Sequence, residues 1–387
     1  MFETFSTFAL QQYWWVIISL LAGLLVALMF VQGGQTLIYQ AGKTDLERTM
    51  IVNALGHKWE LTFTTLVVFG GAFFAAFPLF YATSFGGAYW VWMVILLFFV
   101  LQAVSYEFRT KAGNLLGQRT YQNFLLINGI GAPLFLGVAV ASFFTGSSFV
   151  LLTDPASGVL TPQWTGGFGG LELAFDLSSY TAYINLSLGI ALVFLTRVLG
   201  AMYLKNSIDS PEIAKRTAKT IRQEAPFFLL FFVFFLLNLL LREGYAYDSQ
   251  GLIYTESFKY LHNLLQMPLV LVLLLLGTGL TVAGIVLGGY SDHRRGFYYS
   301  APGVVLVVLA LLLTAGLNDT VYYPSTGANI QNGLTIRNSS SGRYTLTVMS
   351  YVSLFIPFVV AYIAYVWYSM GRRKIDKQEI KDDPDIY

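Results

Sequence analysis

Nine times along this chain, an apolar run long enough to cross a lipid bilayer is followed by a more polar connection. A spanning helix needs roughly 17–25 mostly apolar residues. Runs of that kind fall at about 12–34, 60–82, 88–108, 121–147, 178–203, 225–241, 265–289, 299–317 and 345–370. Lipid offers no hydrogen bonds, so each run must satisfy its own backbone and folds as a helix. The fold class expected is an all-α integral membrane protein with nine transmembrane helices. Composition agrees: 56% of residues are hydrophobic and 11% charged, where a soluble domain carries about a quarter charged residues. A single membrane domain over 1–370 and a solvated tail over 371–387 account for the chain.

Lysine and arginine set the expected orientation, because cytoplasmic loops retain them. The loops on one side, with the C-terminal tail, hold 18 of the 23 Lys and Arg residues; the loops on the other side hold four, and Arg197 lies inside the fifth run. The N-terminus is therefore expected outside and the C-terminus in the cytoplasm, an alternation that an odd number of spans requires. The first ten residues contain Glu3 and no Lys or Arg, so no cleavable signal is expected there. The long connections at about 148–177, 242–264 and 318–344 would cap the outer face.

Several chemistries are set aside by what the sequence contains. A net charge of +2 without a basic aromatic surface gives no reason to expect nucleic acid, and the absence of cysteine removes disulfides and thiol chemistry. Haem iron is usually held by histidine. The three histidines here, His57, His262 and His293, stand at a span mouth or in connections, and no two share a helical face. No His, Asp and Glu grouping has metal-ligand spacing, and neither GGAFF nor GGFGG has the context of a phosphate loop.

Ionisable residues inside spans carry more information, since a charge at the bilayer centre costs about 2.5–3.5 kcal/mol. Three stand out: Glu60, Glu107 and Arg197, all within two turns of the cytoplasmic boundary. Glu60 opens the second run in GHKWELTF and Glu107 closes the third in SYEFRTK. Consecutive antiparallel helices bring both carboxylates out on one side. Two readings stand. The pair exchanges protons, as a half-buried carboxylate can; or Glu107 pairs with Arg109 or Lys111 while Glu60 favours the positive end of its own helix dipole. At the inner end of the first run, VQGGQTLIYQ, Gly33 and Gly34 allow a close helix approach, and Gln32 and Gln35 offer amides.

Taken together, the segments resemble subunit II of the cytochrome bd quinol oxidases over about residues 10–370. The most specific block is GGAFFAAFPLFYATSFGGAY (70–89). WELTF, YEFRTK (106–111), GAMYL (200–204), LTAG (313–316) and NSSSGRYTLTVMSY (338–351) support it. The resemblance implies two four-helix bundles plus one peripheral helix. It implies a haem-bearing subunit I as partner, in a complex that oxidises quinol and reduces oxygen to water in the bacterial inner membrane. Haems b and d would sit in that partner, with none ligated by this chain, and no complete catalytic site is expected here. Small accessory subunits, membrane lipid and a structural quinone are further expected partners. The family's second helix begins Trp-Asp, its Asp being assigned to a cytoplasmic proton path; the match here is Trp59-Glu60, and an Asp ending the third helix matches Glu107. His57, Trp59, Gln32, Gln35 and Arg109 are the neighbouring candidates. Where the family often has acidic residues at the end of helix one this chain has Gln32 and Gln35, and a Trp associated with oxygen entry falls on Thr65.

Two other functions compete with this reading. A stand-alone secondary transporter would have polar groups at its midplane, and here the midplanes are nearly free of ionisable residues. A purely structural scaffold subunit would differ only in Glu60 having no role.

Overall fold

The computed structural model describes residues 2–111, 113–155, 158–327, 329–371 and 374–376. In chain order its helices are α1 (Thr7–Leu28), α2 (Phe30–Gln35), α3 (Ile38–Ala41), α4 (Asp45–Gly56), α5 (Trp59–Ala76), α6 (Pro78–Gly87), α7 (Tyr89–Phe108), α8 (Gln118–Thr145), α9 (Glu172–Phe175), α10 (Tyr180–Ser207), α11 (Pro211–Leu241), α12 (Lys259–Gln266), α13 (Pro268–Tyr290), α14 (Phe297–Gly316), α15 (Arg343–Ser353) and α16 (Ile356–Gly371). Among the described residues nine helical stretches are long and apolar enough to cross a membrane. The tail expected over 371–387 lies, apart from 371 and 374–376, outside the described residues.

Three spans differ from the sequence expectation. The sixth is not a short helix over 225–241. It begins at Pro211, where Ser210 caps the N-terminus and Pro211 occupies the first turn, the position proline tolerates best. Its first half is amphipathic: Ile213, Thr217, Thr220 and Ile221 are buried, while Lys215, Lys219 and Arg222 keep the average hydropathy low. The second span is preceded by α4, which opens with a capping box between Thr44 and Glu47. It is then broken after Ala76, because Pro78 cannot donate a backbone hydrogen bond. The carbonyls released at that break find partners far along the chain: Ser341 donates its Oγ to Ala75 O at 2.6 Å and its N–H to Ala76 O at 2.8 Å. The ninth span is interrupted between α15 and α16.

Helix α10 is central and packs against α2, α8 and α11. The crossing with α2 depends on glycine: a Cβ on Gly33 would fall on the carbonyl of Thr196, and one on Gly200 would meet the backbone of Gly34. Helix α1 packs on α5 and α14, α7 on α8, and α13 on both α11 and α14.

The long connections are not helical throughout. Strands β1 (Phe149–Thr153) and β2 (Leu160–Trp164) form one antiparallel hairpin, and β3 (Gly244–Tyr247) and β4 (Ile253–Glu256) form another. The three connections interlock: Ser147 bridges to Ser325 and Ala246 to Thr320. Buried Tyr323 accepts from Ser147 Oγ at 2.9 Å, and Asn263 donates to Thr314 O and Thr320 Oγ1. A hydrogen-bonded cap thus closes one end of the helices, and the functional candidates cluster at the other.

Candidate functional site

The inner end of the first span brings two amides into the protein interior. On α2, Gln32 and Gln35 are fully buried. Gln32 Nε2 donates to Gln102 Oε1 on α7 at 3.1 Å, and one turn on, Gln35 Nε2 donates to Tyr106 Oη at 3.1 Å. Tyr106 stacks on Trp59 of α5, ring centroids 5.6 Å apart and planes 12° from parallel. One turn after Trp59 on α5 and two turns before Tyr106 on α7, Phe63 meets Phe99. Asn128 on α8 is also fully buried, with neither side-chain amide atom bonded among the described residues; Gln32 Oε1, Gln35 Oε1 and Gln102 Nε2 are likewise unbonded. Buried amide atoms ordinarily have partners, and ordered water commonly supplies them.

Glu60 and Glu107 flank this stack in sequence, each following one of the stacked rings. The stacking therefore holds the two backbones at one level on neighbouring antiparallel helices. Both carboxylates point outward and are exposed on this chain. Neither joins an ion pair among the described residues, so the pairing of Glu107 with Arg109 or Lys111 considered above is not made. Arg109 is buried at the end of α7, where its carbonyl accepts from Asn114 Nδ2 at 2.9 Å. His57 stands exposed at the end of α4. His262 pairs with Glu256 at 2.9 Å in the cap, and His293 is exposed between α13 and α14. His57 and His293 line one cleft at the Lys/Arg-rich end, whereas His262 lies in the cap. No three His, Asp or Glu side chains gather among the described residues.

A second polar centre was only half legible in sequence. Arg197 on α10 meets Glu224 on α11, its Nε 2.6 Å from Oε2 and its Nη2 2.5 Å from Oε1. Nη1 also donates to Thr36 Oγ1 at 2.6 Å and Nη2 to Gln40 Oε1 at 2.9 Å. Glu224 lies one residue before the apolar run at 225–241, so hydropathy does not single it out as a residue within a span. Nearby, Arg216 of α11 donates to Glu47 Oε2 at 2.8 Å and to Ala41 O at 2.7 Å, tying α11 to the capping box of α4.

Within the helices lies an apolar cavity of ≈ 110 Å³, lined by Met29, Phe69, Phe80, Trp92, Phe143 and others. Its two threonines, Thr278 and Thr281, already donate to carbonyls of their own helix, Leu274 O and Gly277 O, both at 2.8 Å.

Comparison with known proteins adds the following. A family model for cytochrome bd terminal oxidase subunit II matches residues 10–370. The chain is 25% identical to the cytochrome bd-I ubiquinol oxidase subunit 2 of Escherichia coli K12, over 96% of this chain and 97% of that one. It is 23% identical to the cytochrome bd ubiquinol oxidase subunit 2 of Bacillus subtilis, over 96% and 98%. A chain of the bd oxidase structure from Geobacillus thermodenitrificans has a similar fold, with a TM-score of 0.64 at 14% identity, covering 94% of this chain and 98% of that one. With the family model running through all nine spans and relatives aligned end to end, the chain belongs to the cytochrome bd terminal oxidase subunit II family.

Proposed function

We propose that this chain is the non-haem-ligating subunit of a bd-type quinol:oxygen oxidoreductase. It holds a haem-bearing subunit I in place and supplies part of a proton path from the cytoplasm for the reduction of oxygen to water. The end-to-end match to quinol oxidase subunits supports the assignment to the complex. The observation that carries the proton role is the level pair Glu60 and Glu107, outward-facing on either side of the Trp59–Tyr106 stack. Carboxylates exposed on this chain but set at the ends of membrane spans are suited to a polar partner surface, since a charge facing lipid is costly. Subunit I is that surface. The unbonded amides of Gln32, Gln35, Gln102 and Asn128 hold water behind the pair.

The same reading sets the Lys/Arg-rich end in the cytoplasm and the hairpin cap outside, in the bacterial inner membrane. The first four spans form one bundle, the next four a second, and the last span lies at the periphery, with α10 against α2 and α8, and α1 against α14, packing across the seam between the bundles. Haems b and d belong to subunit I, and small accessory subunits pack on remaining apolar faces. The apolar cavity suits the chain of a quinone or lipid. With both threonine hydroxyls already engaged, a quinone ring would find no donor among them, so its head lies outside the cavity.

The test is Glu60→Gln in the assembled complex. Oxygen consumption falls while the haem spectrum is kept. Unchanged consumption would leave a scaffold without a proton role.

A further inference from the structure

At the Lys/Arg-rich end of the helices lies a cleft of ≈ 590 Å³ that the proton path does not use. Pockets for small molecules run to about 300–1,000 Å³, so the cleft is of ligand size. Four separate segments wall it: the α4–α5 junction, the end of α10, the connection between α13 and α14, and the end of the last span.

Its charge is one-sided. Among the described residues, Lys58, Arg294, Arg295 and Lys374 line it, against a single lining carboxylate, Asp292. Arg294 is partly neutralised by Asp209, 2.9 Å away, whose carboxyl is held below its ordinary value by that hydrogen bond. Arg295 and Lys374 are exposed. Lys58 differs from these surface cations: it is 3% exposed, and its Nζ stands 4.6 Å from the centre of the Trp367 ring. Such an arrangement fixes a cation in a wall through the ring's negative face. Gathering like charges from distant parts of a chain into one recess costs energy, which an anion entering the recess relieves.

The geometry points to a binding site for a phosphate-bearing anion in this cleft. A phosphate accepts hydrogen bonds on several oxygens and suits both fork-shaped guanidinium and compact ammonium donors. The phosphate comes either from the headgroup of an anionic phospholipid in the adjoining leaflet or from a soluble phosphate ester. The site is independent of the role given to Glu60.

The experiment uses the protein purified from membranes with the subunits that accompany it. In one arm it is placed in nanodiscs of phosphatidylcholine with or without phosphatidylglycerol, and retained lipid is counted by native mass spectrometry. In the other, inorganic phosphate is titrated against chloride at equal ionic strength and the thermal midpoint is followed. Each arm is repeated with Arg295→Gln, Lys374→Gln and the double variant, which alter exposed side chains and so keep the fold. Lys58→Gln is added where it yields folded protein. Retention of phosphatidylglycerol alone identifies a headgroup site, and stabilisation by phosphate alone identifies a soluble ester. In either case binding weakens by about fivefold for each cation removed. If neither probe binds better than its control, or if the variants bind as well as the parent, the proposal is overturned.

Discussion

Arg197 and Glu224 lie side by side in a two-pronged ion pair, with both guanidinium contacts at 2.6 Å or less, on adjacent helices that each cross the membrane. Their side chains are 17% and 11% exposed. Removing one partner of such a pair strands the other charge, at a cost of about 3–5 kcal/mol. Arg197→Leu should therefore lower the thermal midpoint of the detergent-solubilised complex sharply. Arg197→Leu combined with Glu224→Leu should recover much of the loss, and an additive double variant would show that the two charges do not depend on each other.

The buried amides make a similar prediction for neutral groups. Gln102→Leu removes the acceptor of Gln32, leaving a buried N–H unbonded at about 1–3 kcal/mol. Changing Gln32 and Gln102 to Leu together should cost less than the single change. Thermal unfolding of the four proteins closes the cycle.

Gly33 and Gly71 should respond in opposite directions to alanine. At Gly33 the added methyl would overlap the Thr196 carbonyl, whereas at Gly71 nothing lies within 4 Å. Gly33→Ala should destabilise by about 1–3 kcal/mol. Gly71→Ala should be neutral or stabilising by up to about 1 kcal/mol.

In the cap, burial by itself would raise the Glu256 carboxyl, but hydrogen bonds from His262 and Lys259 outweigh it and hold the group below its ordinary 4.5. A folded value below the unfolded one means the contribution is present above about pH 4.5 and is lost as pH falls through the lowered value. With the Glu256 side chain 27% exposed to screening solvent, the size is under about 1 kcal/mol. Glu256→Gln should lower the thermal midpoint slightly at neutral pH, leave it unchanged at the acid end, and so flatten the acid limb of the profile.

For the proposed proton path, side-chain length separates two requirements. Glu60→Asp keeps the acid on a shorter stem and should retain most oxygen consumption. Glu60→Gln together with Glu107→Gln should lose about a hundredfold, the lower range for a placed proton carrier. Oxygen-electrode rates across pH on matched haem content decide between them.

The spans were legible because hydropathy averages over a bilayer's thickness, and nine apolar windows survive that average. What the average hides is any helix with one charged face. Helix α4 and the first half of α11 disappeared into connections, although Thr44 with Glu47 and Ser210-Pro211 mark their starts. Glu224 was lost with the window edge. Gln102 and Asn128 were invisible for another reason: a lone neutral amide barely changes a hydropathy sum, and its partner is set by helix rotation. Rotation also explains why antiparallel order could place Glu60 and Glu107 at one end of their helices while their exposure could not be read. The hairpins in the cap left only weak signals, since strands of four or five residues are too short for alternation to stand out.

The break at Pro78 ties the chain's beginning to its end in time as well as in space. Ala75 and Ala76 are synthesised and inserted early, yet Ser341, which caps their carbonyls, emerges only after seven of the nine crossings have followed the first. Through that interval the second helix must carry two unanswered carbonyls or borrow a substitute for Ser341. A chain stopped before residue 341 would thus leave a defect in a helix completed long before, and membrane quality control could sense the missing C-terminal portion at that distant point.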